Sequence, residues 1–193
     1  MEDAFSLSVV PESSTIPPIL SRTQMAQIAQ KGLPPSLLFC KWKRLYSLTR
    51  DGDSFETMLR LAKTQKSLLV VRSYASDVFG GYVESPWEIN HLHDAGGRFY
   101  GSCKACLFRF RGEDVEVYKW TGANRYVQLC ERHGKTLAMG GGGDRGAFGL
   151  CVADDFRRGS TGRCETFRNE PLTEEEQFEI LDLEVWGFVS GEF

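Results

Sequence analysis

The apolar positions of this chain follow a helical period only near its start. After Ser21 or Thr23, either of which can cap a helix, Met25, Ile28 and Ala29 fall at i, i+3 and i+4; Gly32 stands where a helix ends, and Pro34-Pro35 forbids continuation. A second helix is predicted from Asp53 or Ser54 to about Lys66, burying Phe55, Met58, Leu59 and Ala62, with Glu56 placed to close a capping box on Asp53. Between the two helices, Leu37, Leu38, Phe39, Trp42, Leu45 and Tyr46 give the stretch to Ser47 more apolar surface than an exposed loop carries, so it faces a core.

From Ser67 onward the period becomes that of strands. Ser67 to Arg72 and Asp77 to Val83 are short β-branched runs, followed by Cys106 to Arg111, Val115 to Lys119, Tyr126 to Leu129, Thr136 to Met139 and Phe148 to Val152. Leu107, Phe108 and Phe110 against Arg109 and Arg111, and Val115 and Val117 against Glu116, show the alternation of half-buried strands, and Gly112-Glu113-Asp114 is short enough to make that pair a hairpin. In the last apolar segment Phe178 and Ile180 alternate, the phase slips at Leu181-Asp182, and Leu183 and Val185 alternate again, which predicts a bulge. Several short strands with turns between them indicate an α+β fold built on a two-sheet antiparallel β-sandwich flanked by short helices, not repeated βαβ units. Residues 1–19 are rich in Ser and Pro and read as a flexible leader ahead of a single domain spanning 20–193.

Four consecutive glycines, Gly140 to Gly143, join two of these strands. A phosphate cradle would need Lys and then Ser or Thr after the glycines, whereas this run continues with Asp144-Arg145, and the apolar run that follows is a strand instead of a long helix. A strand-to-strand turn is the better reading. Gly140, Gly141, Gly142, Gly143, Asp144 and Arg145, together with Arg157 and Arg158 of the Arg157 to Gly162 loop, are candidates for binding a partner, because polar, glycine-rich loops at one end of a rigid sandwich are open to one.

Composition narrows the partners. The chain has 193 residues, a net charge of −3 and 41% hydrophobic residues, enough for one packed core and without the basic footprint of a nucleic-acid binder. No apolar stretch reaches the length of a membrane span, and the first thirty residues do not form a signal sequence. The expectation is a cytoplasmic protein, a monomer, with no direct membrane insertion and with its six cysteines reduced.

Chemistry-bearing residues are sparse. Asp51-Gly52-Asp53 lacks the remaining ligands of a calcium loop and reads as a turn. His91 and His93 lie in a polar stretch without a nucleophile beside them; Asp154 and Asp155, as adjacent strand residues, point to opposite faces, and Glu174 to Glu176 read as a solvated cap. Cys103 and Cys106, separated by two residues, are candidates for a reversible disulfide, and with Cys130 and His133 they have ligand types that could close a zinc tetrahedron if adjacent strands converged. Buried core thiols are the plainer reading, and no metal or cofactor is expected.

Several stretches, in order, resemble the TLDc domain family: Trp42 with Leu45-Tyr46-Ser47, Asp51 to Phe55, Val78 to Tyr82 with Trp87, Tyr118-Lys-Trp120 with Gly122 to Asn124, Met139 to Gly143, Gly149 to Phe156, Cys164 to Asn169 and Glu184-Val-Trp-Gly-Phe188. They cover about residues 20 to 189. The resemblance implies a two-sheet sandwich flanked by helices. It also implies a non-catalytic interaction module that binds the cytosolic sector of the vacuolar-type proton-pumping ATPase (V-ATPase) and contributes to oxidative-stress resistance, peripheral at acidic organelles through that partner. The alternative is a peroxide-responsive thiol protein using Cys103 and Cys106.

Overall fold

In the computed structural model, which describes residues 7–63, 66–89 and 99–191, antiparallel strands dominate and short helices flank them. The first helix, α1 (Arg22–Lys31), opens with a capping box in which Ser21 accepts from the Gln24 amide and Gln24 returns the bond to Ser21. It buries Met25, Ile28 and Ala29, the three residues its spacing selects. The core-facing stretch after Pro35–Leu37 becomes β1 (Lys41–Ser47), and a single turn, α2 (Leu48–Asp51), follows. The next helix, α3 (Phe55–Leu61), is capped by Ser54, and it ends short of Lys66.

The remaining strands are β2 (Ser67–Ser73), β3 (Val78–Val83), β4 (Cys106–Arg111), β5 (Asp114–Lys119), β6 (Gln128–Glu131), β7 (Thr136–Met139), β8 (Leu150–Ala153), β9 (Arg158–Thr161) and β10 (Gln177–Val189). One sheet holds β5-β4-β3-β2-β10 with β1 on the far side of β10; the other holds β6-β7-β8-β9 and the start of β10. The two-sheet sandwich read from the strand pattern is therefore present, and β10 belongs to both halves. Its residues 177–179 pair with β9, and its residues from Ile180 pair with β2 and then β1.

The switch happens at the slipped phase. Register against β2 jumps between Ile180 and Asp182, leaving Leu181 as the extra, exposed residue. Phe178 and Ile180 before it, and Leu183 and Val185 after it, all enter the same core. Without the bulge, one of those pairs would face the wrong side.

Two large cores follow from this arrangement, beside a small cluster of Leu129, Ala138 and Cys151. Leu69, Val71, Phe79, Leu107, Leu137, Met139, Val152, Leu183 and Val185 fill the space between the sheets. Leu68, Val70, Tyr82, Phe108, Trp42 and Trp186 fill a second layer beneath Met25 and Ile28 of α1. Strand β2 is buried on both faces, and for that reason Leu68 to Val71 forms an unbroken apolar run instead of alternating.

Residues 7–20, most of the stretch read as a leader, lie against β1. The Trp42 amide donates to Ser8 O (2.9 Å) and the Val10 amide to Trp42 O (2.8 Å). Glu12 pairs with Arg44 and Arg50, while Ile19 and Leu20 are buried. Beneath this segment Arg44 and Glu184 form an ion pair of 2.9 Å with essentially no exposure. The Glu184 carboxylate also accepts from the Trp186 indole (2.9 Å) and the Ile19 amide (3.1 Å). Burial raises the Glu184 carboxyl above its ordinary value, and the bonds from Trp186 and Arg44 oppose that rise.

Two outcomes follow. Deleting residues 182–193 removes the strand that β1 and β2 share, so the truncated protein is expected to lose cooperative urea unfolding and near-ultraviolet circular dichroism. Arg44→Leu leaves a buried carboxylate without its cation and is expected to cost about 3–5 kcal/mol at pH 7 by urea titration. A carboxyl with a folded pKa above its unfolded one binds its proton more tightly when folded, and removing Arg44 widens that gap. The deficit relative to wild type should therefore shrink as pH is lowered from 7 towards 5.

Candidate functional site

The glycine run leaves β7 at Met139 and turns sharply, with φ of 77° at Gly140, 80° at Gly142 and 99° at Gly143. Positive φ is open to glycine at little cost, and Gly140 has a second constraint. A Cβ there would stand 2.6 Å from the Cys164 sulfur and 2.9 Å from the Phe167 ring. The turn is pressed against the segment from Cys164 to Asn169 and bonded to it. The Gly141 amide donates to Thr166 Oγ1 (2.9 Å), and the Gly141 carbonyl accepts from the Glu165 amide (3.2 Å) and from Asn124 Nδ2 (3.3 Å). The Thr166 hydroxyl in turn donates to Asn124 Oδ1 (2.7 Å), and the Thr121 amide reaches Thr166 O (2.9 Å). Thr166 and Asn169 are buried and hydrogen-bonded; the Asn169 side-chain amide, for example, donates to Gly162 O (2.9 Å).

On this rigid base sits a groove of about 830 Å³ lined by Gly143, Asp144, Arg145, Arg163, Glu165 and Arg168, among others. Its rim alternates in charge. Arg145 lies 3.5 Å from Glu176 and Arg163 lies 2.6 Å from Glu170, all four side chains being about half exposed or more. Exposed pairs of this kind contribute about 0–1 kcal/mol each, so a partner can take over either charge at little cost.

The predicted partner-binding residues divide. Gly140 to Arg145 build or line this groove. Arg157 and Arg158 do not join them, because Arg157 to Gly162 is mostly strand β9 and not a loop; Gly159 there fits where a Cβ would strike Cys151 O at 2.2 Å. Arg158 sits at the far end of the β8–β9 hairpin beside Asp154 (3.5 Å), and Arg157 beside Asp53 (3.6 Å) in another cleft of about 560 Å³. Those strands are four residues long, placing the two sets of candidates on the order of 10 Å apart. Sequence reasoning passed over Arg163, Arg168, Thr166 and Asn169. The visible signal was a polar run interrupted by Cys164 and Phe167, but the bonds to Gly141 and Gly162 that give it meaning come from distant segments.

Cys106 and Cys130 lie apart from this site, whereas Cys164 is packed beneath the glycine turn. The Cys106 thiol donates to Gly32 O (3.6 Å) in the layer beneath α1, whereas Cys130 lies in the core between the sheets. The structure thus does not bring Cys103, Cys106, Cys130 and His133 into one ligand set, and among the described residues no three His, Cys, Asp or Glu side chains converge to hold a metal ion. Burial pushes the Cys106 and Cys130 thiols up to about 12 and Cys151 to about 11, disfavouring the thiolate that peroxide or disulfide chemistry needs. His133 is exposed, and His91 and His93 fall outside the described residues.

A family model described as the TLDc domain matches residues 13–189. The chain belongs to the TLDc family. This TLDc protein is 33% identical over 174 residues to oxidation resistance protein 1 of Xenopus laevis, a match that covers 89% of the chain and 19% of that relative. It is 31% identical over 172 residues to human nuclear receptor coactivator 7, covering 88% of the chain and 17% of that protein. Mouse oxidation resistance protein 1 is 30% identical over 200 residues, covering 97% of the chain and 22% of its own length. The TLDc sequence thus spans about a fifth of the length of these relatives. No described helix of this TLDc domain is long and apolar enough to cross a membrane.

The glycine turn yields a graded expectation. Gly146→Ala places a methyl in open space at φ 60° and should cost about 1–2 kcal/mol. Gly140→Ala adds the collision with Cys164 and Phe167, raising the cost by a further ~1–3 kcal/mol in urea titrations of the two variants.

Proposed function

We propose that this TLDc domain is a non-catalytic docking module that binds the cytosolic sector of a V-ATPase and thereby contributes to oxidative-stress resistance. The observation that carries the docking part is the groove between the glycine turn and the Arg163–Glu170 segment. Its backbone is fixed by buried polar bonds, while Arg145 and Arg163 project from it with weakly held acidic neighbours and Arg168 is exposed beside them. A preorganised frame carrying exchangeable charges suits recognition of a folded protein surface, since little ordering entropy remains to be lost on binding. The choice of the V-ATPase rests on the resemblance of the motif set to TLDc proteins, and the stress role also draws on relatives named oxidation resistance protein 1. In this reading the protein acts in the cytoplasm and reaches acidic organelles only through the pump.

The test uses purified cytosolic V-ATPase sector and the whole 193-residue chain. Wild type should co-purify with it and change ATPase-driven acidification in reconstituted vesicles. Arg145→Glu combined with Arg163→Glu should weaken binding on the order of tenfold or more without lowering the melting temperature, whereas Arg157→Glu with Arg158→Glu should bind as wild type does. Absence of co-purification and of any effect on acidification by wild type would overturn the reading. Loss on the Arg157/Arg158 side alone would move the docking face to the other end of the β8–β9 hairpin.

A further inference from the structure

The outer edge of β1 is held by a short piece of the protein's own N-terminal segment. Among the described residues one bridge, Val9 to Trp42, links the two, running parallel and using two main-chain bonds, Trp42 N to Ser8 O and Val10 N to Trp42 O. Three residues further on, the Glu12 carboxylate lies against the Arg44 guanidinium and 2.9 Å from Arg50. Ser8, Pro11 and Glu12 are exposed and Val9 only partly buried. The residues that follow this piece are held more firmly. Arg44 donates to Ile16 O (2.7 Å), Arg72 to Ile19 O (2.9 Å), and Ile19 and Leu20 are buried.

The seat is larger than its occupant. Val9 borders a cleft of about 510 Å³ shared with Pro18, Ile19, Arg22, Gln24 and Met25, between the strap and the start of α1. A valine side chain leaves that space open where a larger apolar group would fill it. The resident segment thus displays the elements of a peptide site: an open strand edge, an underfilled apolar cleft, and a pair of arginines reading a carboxylate three residues later.

We infer that the β1 edge is a peptide-binding slot for an extended segment of a partner protein bearing a bulky apolar residue followed, three positions on, by Asp or Glu, and that residues 8–12 are its displaceable occupant. The partner strand would repeat the two main-chain bonds to Trp42, place its apolar side chain in the cleft at Val9 and its carboxylate on Arg44 and Arg50. Arg44 keeps Glu184, and Arg50 keeps Asp51 at 2.8 Å, so neither cation is stranded while the segments exchange. The slot lies on β1 and does not depend on the groove beside the glycine turn.

Fluorescence polarisation with a labelled peptide of residues 7–16 carrying Val9→Phe tests this on the whole 193-residue chain. Glu12→Ala loosens the resident segment and is expected to raise affinity for the peptide at least tenfold over wild type. A peptide that also carries Glu12→Ala should bind the Glu12→Ala protein at least tenfold more weakly, as should the acidic peptide to a Glu12→Ala/Arg50→Ala protein. In a second variant, Val9→Asp frees the edge without touching either arginine and should show the same gain. Equal binding of acidic and neutral peptides, or no binding to either loosened variant while their melting curves remain cooperative, overturns the inference. Dimerisation of the loosened variants that the peptide does not reverse also overturns it, assigning the slot to a second copy.

Discussion

One strand, Gln177–Val189, belongs to both sheets, and the rest of the molecule depends on that sharing. Its first residues complete the β6–β9 half, and the remainder is flanked by β2 on one side and β1 on the other. A continuous backbone crossing from sheet to sheet must keep its apolar side chains on the inner face through the change of partner, which the extra residue at Leu181 allows. The same alternation that puts Leu183 and Val185 between the sheets puts Glu184 and Trp186 on the opposite face, so a buried carboxylate there is a consequence of strand geometry. Arg44, the Trp186 indole and the Ile19 amide supply what that carboxylate would lose in leaving water.

Much of this architecture was readable from side-chain period. The strands that alternate, such as β4 and β5, and the slip at Leu181-Asp182 were visible because a period of two leaves no other placement for Phe178, Ile180, Leu183 and Val185. The unbroken run Leu68 to Val71 was visible as a strand but not as one buried on both faces, since that depends on α1 lying outside it. Strand β9 was hidden because Arg158-Gly-Ser-Thr161 carries no apolar signal; its pairing is decided by β8 and β10. The seating of residues 7–20 was hidden for a related reason. Glu12 finds Arg44 32 residues away, and Arg44 finds Glu184 140 residues away, separations at which local pattern carries no information.

At the candidate site the glycines announced themselves and their partners did not. Gly140 to Gly143 mark a tight reversal in any reading, but what makes that reversal a platform is Thr166, Asn124 and Asn169 bonding to its backbone and to its neighbours. Polar side chains of this kind look like ordinary loop residues until the backbone groups they satisfy are known. The charged residues of the rim, Arg163 and Arg168, are exposed because the neighbouring Cys164, Thr166, Phe167 and Asn169 turn inward.

The depth of Cys106 and Cys130 has a consequence for a protein related to oxidation resistance proteins. Burial keeps the Cys106 and Cys130 thiols protonated at neutral pH, and in the closed fold both are covered by strands and side chains. Oxidant then reaches them through states in which a strand has come away from its neighbours. The rate of their consumption scales with the population of such open states as well as with the reactivity of the oxidant, so each buried sulfur reports on the breathing of the sheet that covers it.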